Sequence, residues 1–208
     1  MDYLTIKEPS NGEIDIRKSQ FIVHCFPVQD ENEALEQIKK IGKQYYKATH
    51  HTFAYVIGKN GQLKRFSDDG EPSGTAGKPI LKCILQNNLT NILIIVTRYF
   101  GGIKLGAGGL VRAYSSAASL GITTAKIIKM QYSTLVKICC EYTLLGKLES
   151  YFKSKNILIK DIQYQDKVTI FIYLPQSIVN CILQEITNIT NDQACSFCLD
   201  QEYIAIIL

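Results

Sequence analysis

Residues 96–114 read VTRYFGGIKLGAGGLVRAY, and this stretch decides how the first half of the chain is built. Just before it, residues 91–97 are β-branched and apolar on both faces, which predicts a central, fully buried strand. At its end, Leu110, Ala113, Tyr114, Ala117 and Ala118 recur at helical spacing and predict a helix packed through small side chains. Between strand and helix lie Gly101, Gly102, Gly106, Gly108 and Gly109, read as one loop. Glycine is placed where the backbone needs positive φ or where another group must come close. A strand-to-helix loop of this kind exposes free N–H groups and the positive end of a helix dipole, the elements of a phosphate cradle. Arg98, Lys104 and Arg112 add positive charge around it. The competing explanation is a tight connection and nothing more, because glycine spacing alone is a weak signal. No Gly-Lys-Ser/Thr follows, so this is not a Walker loop, and the spacing is not a Rossmann fingerprint.

Upstream, residues 20–28 suit a strand. Asp30 starts a helix with Glu33 in the capping-box position, and Ala34, Leu35, Ile38, Ile41 and Tyr45 give it one apolar face. Residues 51–58 read as a strand that turns at Asn60-Gly61 and returns antiparallel over residues 62–67. Residues 68–79, within the segment RFSDDGEPSGTAGKP of residues 65–79, form a second Gly/Pro/Ser-rich loop, and residues 80–85 belong to a helix. Residues 1–20 are polar and mixed in charge, without the pattern of a secretory signal.

From Gln131 the texture changes. Tyr132, Thr134, Val136, Ile138 and Cys140 alternate along a strand. Leu145, Leu148, Tyr151 and Phe152 mark a helix. Residues 156–164 and 167–174 are two strands joined at Gln165-Asp166, and Pro175 stops the second. Ile178, Val179, Ile182, Leu183 and Ile186 mark a helix, and a last strand covers residues 197–207. The order βαββαβ is ferredoxin-like. The expectation is an α+β protein with an N-terminal domain over residues 1–128 and a ferredoxin-like domain over residues 129–208.

Bulk composition narrows the function classes. The chain has 208 residues, 46% hydrophobic and 20% charged, enough for one or two packed domains. A net charge of +4 permits a polyanionic partner without requiring one. Seven cysteines, an odd and scattered set, argue against a disulfide framework and for a reducing compartment. The longest aliphatic run, residues 92–96, is far short of the about 20 residues that span a bilayer. A cytoplasmic protein is expected, with no membrane partner.

The loop of residues 68–79 offers Asp68, Asp69 and Glu71, with His50 and His51 upstream. Together they could hold a hard cation, but Asp68-Asp69-Gly70 also reads as a turn whose carboxylates bond local amides, and this is the preferred account. Lys78 closes the loop with a positive charge. His24 reads as a core or edge residue of its strand. Cys195 and Cys198 lack a second ligand pair and face opposite sides of a strand, which argues against zinc. No metal and no cofactor are expected. The absence of a Gly-x-Ser-x-Gly elbow leaves a serine hydrolase unsupported.

The segments DDGEPSGTAGKP and TRYFGGIKLGAGGLVRAY, with Ala48-Thr49-His50-His51 upstream, resemble the signature of the YigZ/IMPACT family along the whole chain. The resemblance implies an N-terminal domain similar to the second domain of a small-subunit ribosomal protein. It implies a C-terminal ferredoxin-like domain similar to a late domain of elongation factor G. Eukaryotic members carry an extra N-terminal domain that contacts an activator of a translational stress kinase, and this chain starts too close to the IMPACT domain to contain it. The family's usual His-His-Cys reads His50-His51-Thr52 here, so a mechanism needing a thiol there would not work.

Three functional expectations follow. The first is a translation-associated protein that binds RNA or the ribosome through Lys78, Arg98, Lys104, Arg112 and the glycine loop. The second is an enzyme that binds phosphate or a nucleotide on that loop, with Asp68 or Asp69 on magnesium. The third is a protein-interaction module in a stress response. All three place the two glycine loops and His50-His51 on one face of the N-terminal domain.

Overall fold

The computed structural model describes residues 2–207. The first half runs β1 (Tyr3–Ile6), β2 (Ser10–Ile16), β3 (Ser19–Pro27), α1 (Glu31–Gln44), β4 (His50–Ile57), β5 (Leu63–Ser67), α2 (Gly77–Gln86), β6 (Ile92–Tyr99) and α3 (Ala107–Thr124). Strands β2-β3-β6-β4-β5 form one antiparallel sheet. β6 sits at its centre and is buried on both faces, as its unbroken apolar run requires. Ile92, Ile94 and Val96 join the core under α2 and α3, whereas Leu93 and Ile95 join the core under α1. That division follows the two-residue period of a strand.

Helix α1 begins where its capping signal lies. The Glu33 amide donates to Asp30 Oδ1 at 2.9 Å, and Glu33 Oε2 accepts from the Gln29 amide at 2.7 Å. Helix α3 lies close on the sheet because its inner face is small: Ala113, Ala117 and Ala118 are buried, and a Cβ on Gly121 would stand 2.6 Å from Cys25 Sγ.

The second half runs β7 (Ile127–Cys140), α4 (Tyr142–Ser154), β8 (Leu158–Tyr164), β9 (Val168–Pro175), α5 (Val179–Thr190) and β10 (Cys195–Ile207). β7 pairs antiparallel with β9, β9 with β8, and β10 joins the free side of β7. The order β10-β7-β9-β8 with two helices is the ferredoxin-like arrangement. Val136, Ile138, Ile170 and Ile172 face Leu148, Phe152 and Ile186 in its core. The chain divides into one compact unit of residues up to Met130 with the end from Ala205, and another of Gln131–Ile204. Among the described residues, no helix is long and apolar enough to cross a membrane.

Two points differ from the sequence reading. The first twenty residues, read only as polar, supply β1 and β2. β2 alternates exposed and partly buried positions, and a Cβ on its Gly12 would meet Leu120 of α3 at 3.0 Å. β1 pairs antiparallel with the first residues of β7, Tyr3 opposite Met130. The glycine loop is also shorter than expected. Gly108 and Gly109 are helical, in the first turn of α3, because a helix needs no side chain at its N-terminal turn to begin its hydrogen-bond ladder.

Candidate functional site

A cleft of about 380 Å³ opens on the N-terminal unit. It is lined by Glu71 and Pro72 from the loop before α2, Arg98 and Phe100 at the end of β6, and the segment Lys104 to Ala107 with Leu110 at the start of α3. Both glycine-rich segments therefore contribute to one cavity. Their meeting follows from the sheet: β6 pairs with β4 so that Arg98 stands opposite His50 and Thr97 opposite His51.

A buried polar network forms the floor. Glu71 Oε1 accepts from Arg98 Nη1 at 2.6 Å and from the Tyr114 hydroxyl at 2.7 Å. The Glu71 and Arg98 side chains are 3% and 6% exposed, so this pair is desolvated and its geometry is fixed. The Arg98 guanidinium lies 5.4 Å from the ring centroids of both Phe21 and Phe100. Its Nη2 reaches Ser19 Oγ at 3.4 Å, while its buried Nε has no partner. Burial pushes the Tyr114 hydroxyl pKa up, and the hydrogen bond to Glu71 adds to the effect. Tyr114 is thus a fixed neutral donor. Among the described residues no hydrogen bond reaches Glu71 Oε2.

The histidines stand at one side of this network. His50 Nδ1 lies 2.7 Å from the Asp69 carbonyl, which can only accept, so Nδ1 carries a proton and Nε2 faces Glu71 Oε1 at 3.9 Å. The His51 amide donates to Asp69 Oδ2 at 2.5 Å, and its Nδ1 lies 3.1 Å from Thr97 Oγ1. Burial lowers the His51 pKa, against the opposing charge of Asp69. Thr52 is fully buried and donates to the Val96 carbonyl at 3.1 Å.

Within the acidic loop, Asp68 is committed to the backbone. Asp68 Oδ2 accepts from the Gly74 amide at 2.8 Å, and Oδ1 accepts from Ala76 at 3.0 Å and Gly77 at 2.8 Å. It closes the loop onto the start of α2, where free amides and the helix dipole favour a carboxylate. Among the described residues no three His, Cys, Asp or Glu side chains are grouped to hold a metal ion.

The cations separate into three settings. Arg98, expected on a loop, lies inside β6 and faces Glu71, so it is not a surface charge. Lys104 is exposed on the cleft rim, and Lys78 is exposed in the first turn of α2, outside the cleft lining. Arg112, one turn into α3, lines a neighbouring groove with Arg17, Leu105 and Gly109. Between these settings lies the start of α3. Gly106 is its N-cap, with φ 71°, and makes no side-chain cap. The first ladder bond runs from the Leu110 amide to the Gly106 carbonyl at 2.9 Å. Among the described residues the amides of Ala107, Gly108 and Gly109 have no protein acceptor, which is the orphan set at a helix N-terminus.

Gly101 has a different reason to be glycine. A Cβ there would lie 1.9 Å from the Lys18 carbonyl, so the turn between β2 and β3 needs the space. Sequence reasoning missed Tyr114 as more than a core residue, and missed Phe100, Leu105 and Arg17. An Arg in an apolar strand was the available signal, because an interior cation demands a buried carboxylate and further donors.

Comparison with known proteins agrees with this architecture. Residues 17–122 match the Impact N-terminal domain, and residues 138–193 match a domain of unknown function, DUF1949. The chain belongs to the IMPACT family. It is 42% identical over 192 residues to the IMPACT family member YvyE of Bacillus subtilis, covering 92% of this chain and 88% of that protein. It is 33% identical over 163 residues to YigZ of Escherichia coli, covering 77% and 80%. Protein IMPACT homolog of Dictyostelium discoideum is 39% identical over 95 residues, 43% of this chain and 27% of that protein. A crystal structure of a hypothetical protein superposes with a TM-score of 0.62 at 28% identity, over 96% of this chain and 98% of that one.

Proposed function

We propose that this IMPACT family protein binds the phosphate backbone of RNA in a translation-associated setting, on the ribosome or on an RNA that the ribosome uses. The observation that carries the reading is the start of α3: three amides without protein acceptors, at the positive end of a helix, with Lys104 on one side and Arg112 and Arg17 on the other. The exposed ring of Phe100 adds a surface on which a base stacks. The link to translational control comes from the family resemblance, and so does a possible protein partner there. The enzymatic alternative, with Asp68 or Asp69 on magnesium, has less support, because both oxygens of Asp68 accept from backbone amides and Asp69 Oδ2 accepts from the His51 amide.

Ribosome co-sedimentation at two salt concentrations tests the reading. Arg17→Ala/Lys104→Ala/Arg112→Ala removes surface charge without touching the Glu71–Arg98 pair. Salt-sensitive association in the wild type and its loss in the variant is the expected result. Each lost phosphate contact should flatten the slope of log K against log salt by about 0.7 on a single strand. Association indifferent to salt, or absent from ribosomes and structured RNA alike, would sink the proposal.

A further inference from the structure

The cleft beside α3 is not built for phosphate alone. A bare phosphate site has donors throughout, but this one holds a carboxylate, Glu71, 3% exposed in its side chain, whose Oε2 has no protein partner among the described residues. Arg98 and Tyr114 occupy Oε1 and offset the charge. The oxygen left over is an acceptor with two lone pairs; it is not sealed in the interior, as the orphaned Arg98 Nε is, but opens on the cleft that Glu71 lines. The same cleft is lined by Pro72, Phe100, Leu105 and Leu110, and by Gly106 and Ala107 at the start of α3. A ligand that satisfies every part has an N–H edge, a flat apolar body and an anion at its far end.

We infer that the cleft receives one unstacked guanine nucleotide of an RNA single strand, its N1–H and N2–H on Glu71 Oε2, its ring on Phe100, and its phosphate on the first turn of α3. This rests on the RNA-binding reading and names what the site reads. Guanine is singled out because, of the four bases, only its Watson–Crick edge offers two adjacent N–H donors, which suits one oxygen with two free lone pairs. The volume, about 380 Å³, is near the small end of the roughly 300–1,000 Å³ usual for ligand pockets, so it fits a single nucleotide rather than a stacked run. Reading splayed bases on their Watson–Crick edge while stacking them on an aromatic ring is the ordinary mode of single-strand RNA recognition. Phe100, 47% exposed, has the guanidinium of Arg98 against it and ring surface still available.

The test uses fluorescence anisotropy with labelled uridine-rich RNA hexamers that carry one guanosine, one inosine or one adenosine at the same position. Inosine lacks only the 2-amino group, so the comparison changes the ligand and leaves the protein's fold alone. The expected result is that the guanosine oligomer binds about tenfold tighter than the other two, as one good base-edge contact implies. Phe100→Ala removes a stacking surface that serves any base, so it should weaken all three oligomers together and leave the order of their affinities in place. Equal affinity for all three oligomers, with salt-dependent binding intact, overturns the guanine site and leaves the phosphate reading standing. Binding of none of them at low salt overturns both.

Discussion

Glu71 and Arg98 meet as a buried ion pair, with Arg98 Nη1 2.6 Å from Glu71 Oε1, although one belongs to a glycine-rich loop and the other to the central strand. The contact ties the acidic loop to β6, and Tyr114 ties α3 to the same oxygen. Three elements of the cleft therefore share one acceptor.

The consequence is a strong asymmetry between single and double substitutions. Arg98→Met leaves a buried carboxylate without its counter-charge and should destabilise the protein by about 3–5 kcal/mol. Glu71→Leu should cost a similar amount for the opposite reason. The double variant should be less unstable than the sum of the two, because no charge remains buried alone. Urea unfolding of the four proteins reads the coupling. Additive effects would mean that the pair does not hold the loop to the strand.

His24 predicts how stability depends on pH. It is buried in β3, its Nε2 has no partner, and the Tyr45 ring lies 5.3 Å from its own. Burial lowers its pKa below 6.5 because nothing there favours the charged form. The unfolded chain therefore binds the proton more tightly, and stability rises with pH across the window below 6.5. The contribution is complete above that value and is lost as pH falls through it. His51 is lowered in the same direction and adds to the effect. The urea midpoint should drop between pH 7.5 and pH 5.5, and His24→Phe should remove part of the drop. A variant with an unchanged pH profile would place the acid sensitivity elsewhere.

Gly101 and Gly108 should respond in opposite ways to alanine. At Gly101 the new Cβ would stand 1.9 Å from the Lys18 carbonyl, so backbone must move and the domain should lose stability or fail to fold. At Gly108 nothing lies within 4 Å, and alanine in a helix gains up to about 1 kcal/mol over glycine. Gly108→Ala should leave the melting temperature unchanged or raised. If an anion sits against the first turn of α3, the added methyl should nonetheless weaken RNA binding. Binding and stability both unaffected would leave Gly108 with no role at the helix start.

The glycines show where sequence reading reaches its limit. The segment around Gly101 to Gly109 was legible as a strand-to-helix connection, because the apolar run of β6 and the small-residue face of α3 bracket it. Which glycine serves the fold and which leaves room for a ligand was not, since that depends on Lys18, far away in sequence. Arg98 illustrates the same point. Its charge suggested a loop contact, whereas β6 carries it inside, where Glu71 meets it. The second half was more legible: β9, and β7 through Val136, Ile138 and Cys140, show a plain two-residue period over one core. β1 escaped because it is a very short strand whose partner, β7, lies far on in the sequence, and β2 escaped because Ile14 and Ile16 are its only large apolar side chains.

Asp68 separates a structural carboxylate from a metal ligand. Its two oxygens accept from the amides of Gly74, Ala76 and Gly77 and close the loop onto α2. Asp68→Asn keeps one acceptor, loses the other, and removes the negative charge facing the helix dipole. The expected cost is about 1 kcal/mol, the usual size of a lost cap, seen as a lower urea midpoint. RNA affinity should stay within about twofold, because the residue faces the backbone and not the cleft; a larger change would exceed the roughly 0.4 kcal/mol that a remote cap should transmit. Magnesium should stabilise neither protein. If magnesium raises the melting temperature of the wild type and Asp68→Asn abolishes that rise, the carboxylate is a ligand after all, and the enzymatic reading of the loop gains the site it lacks.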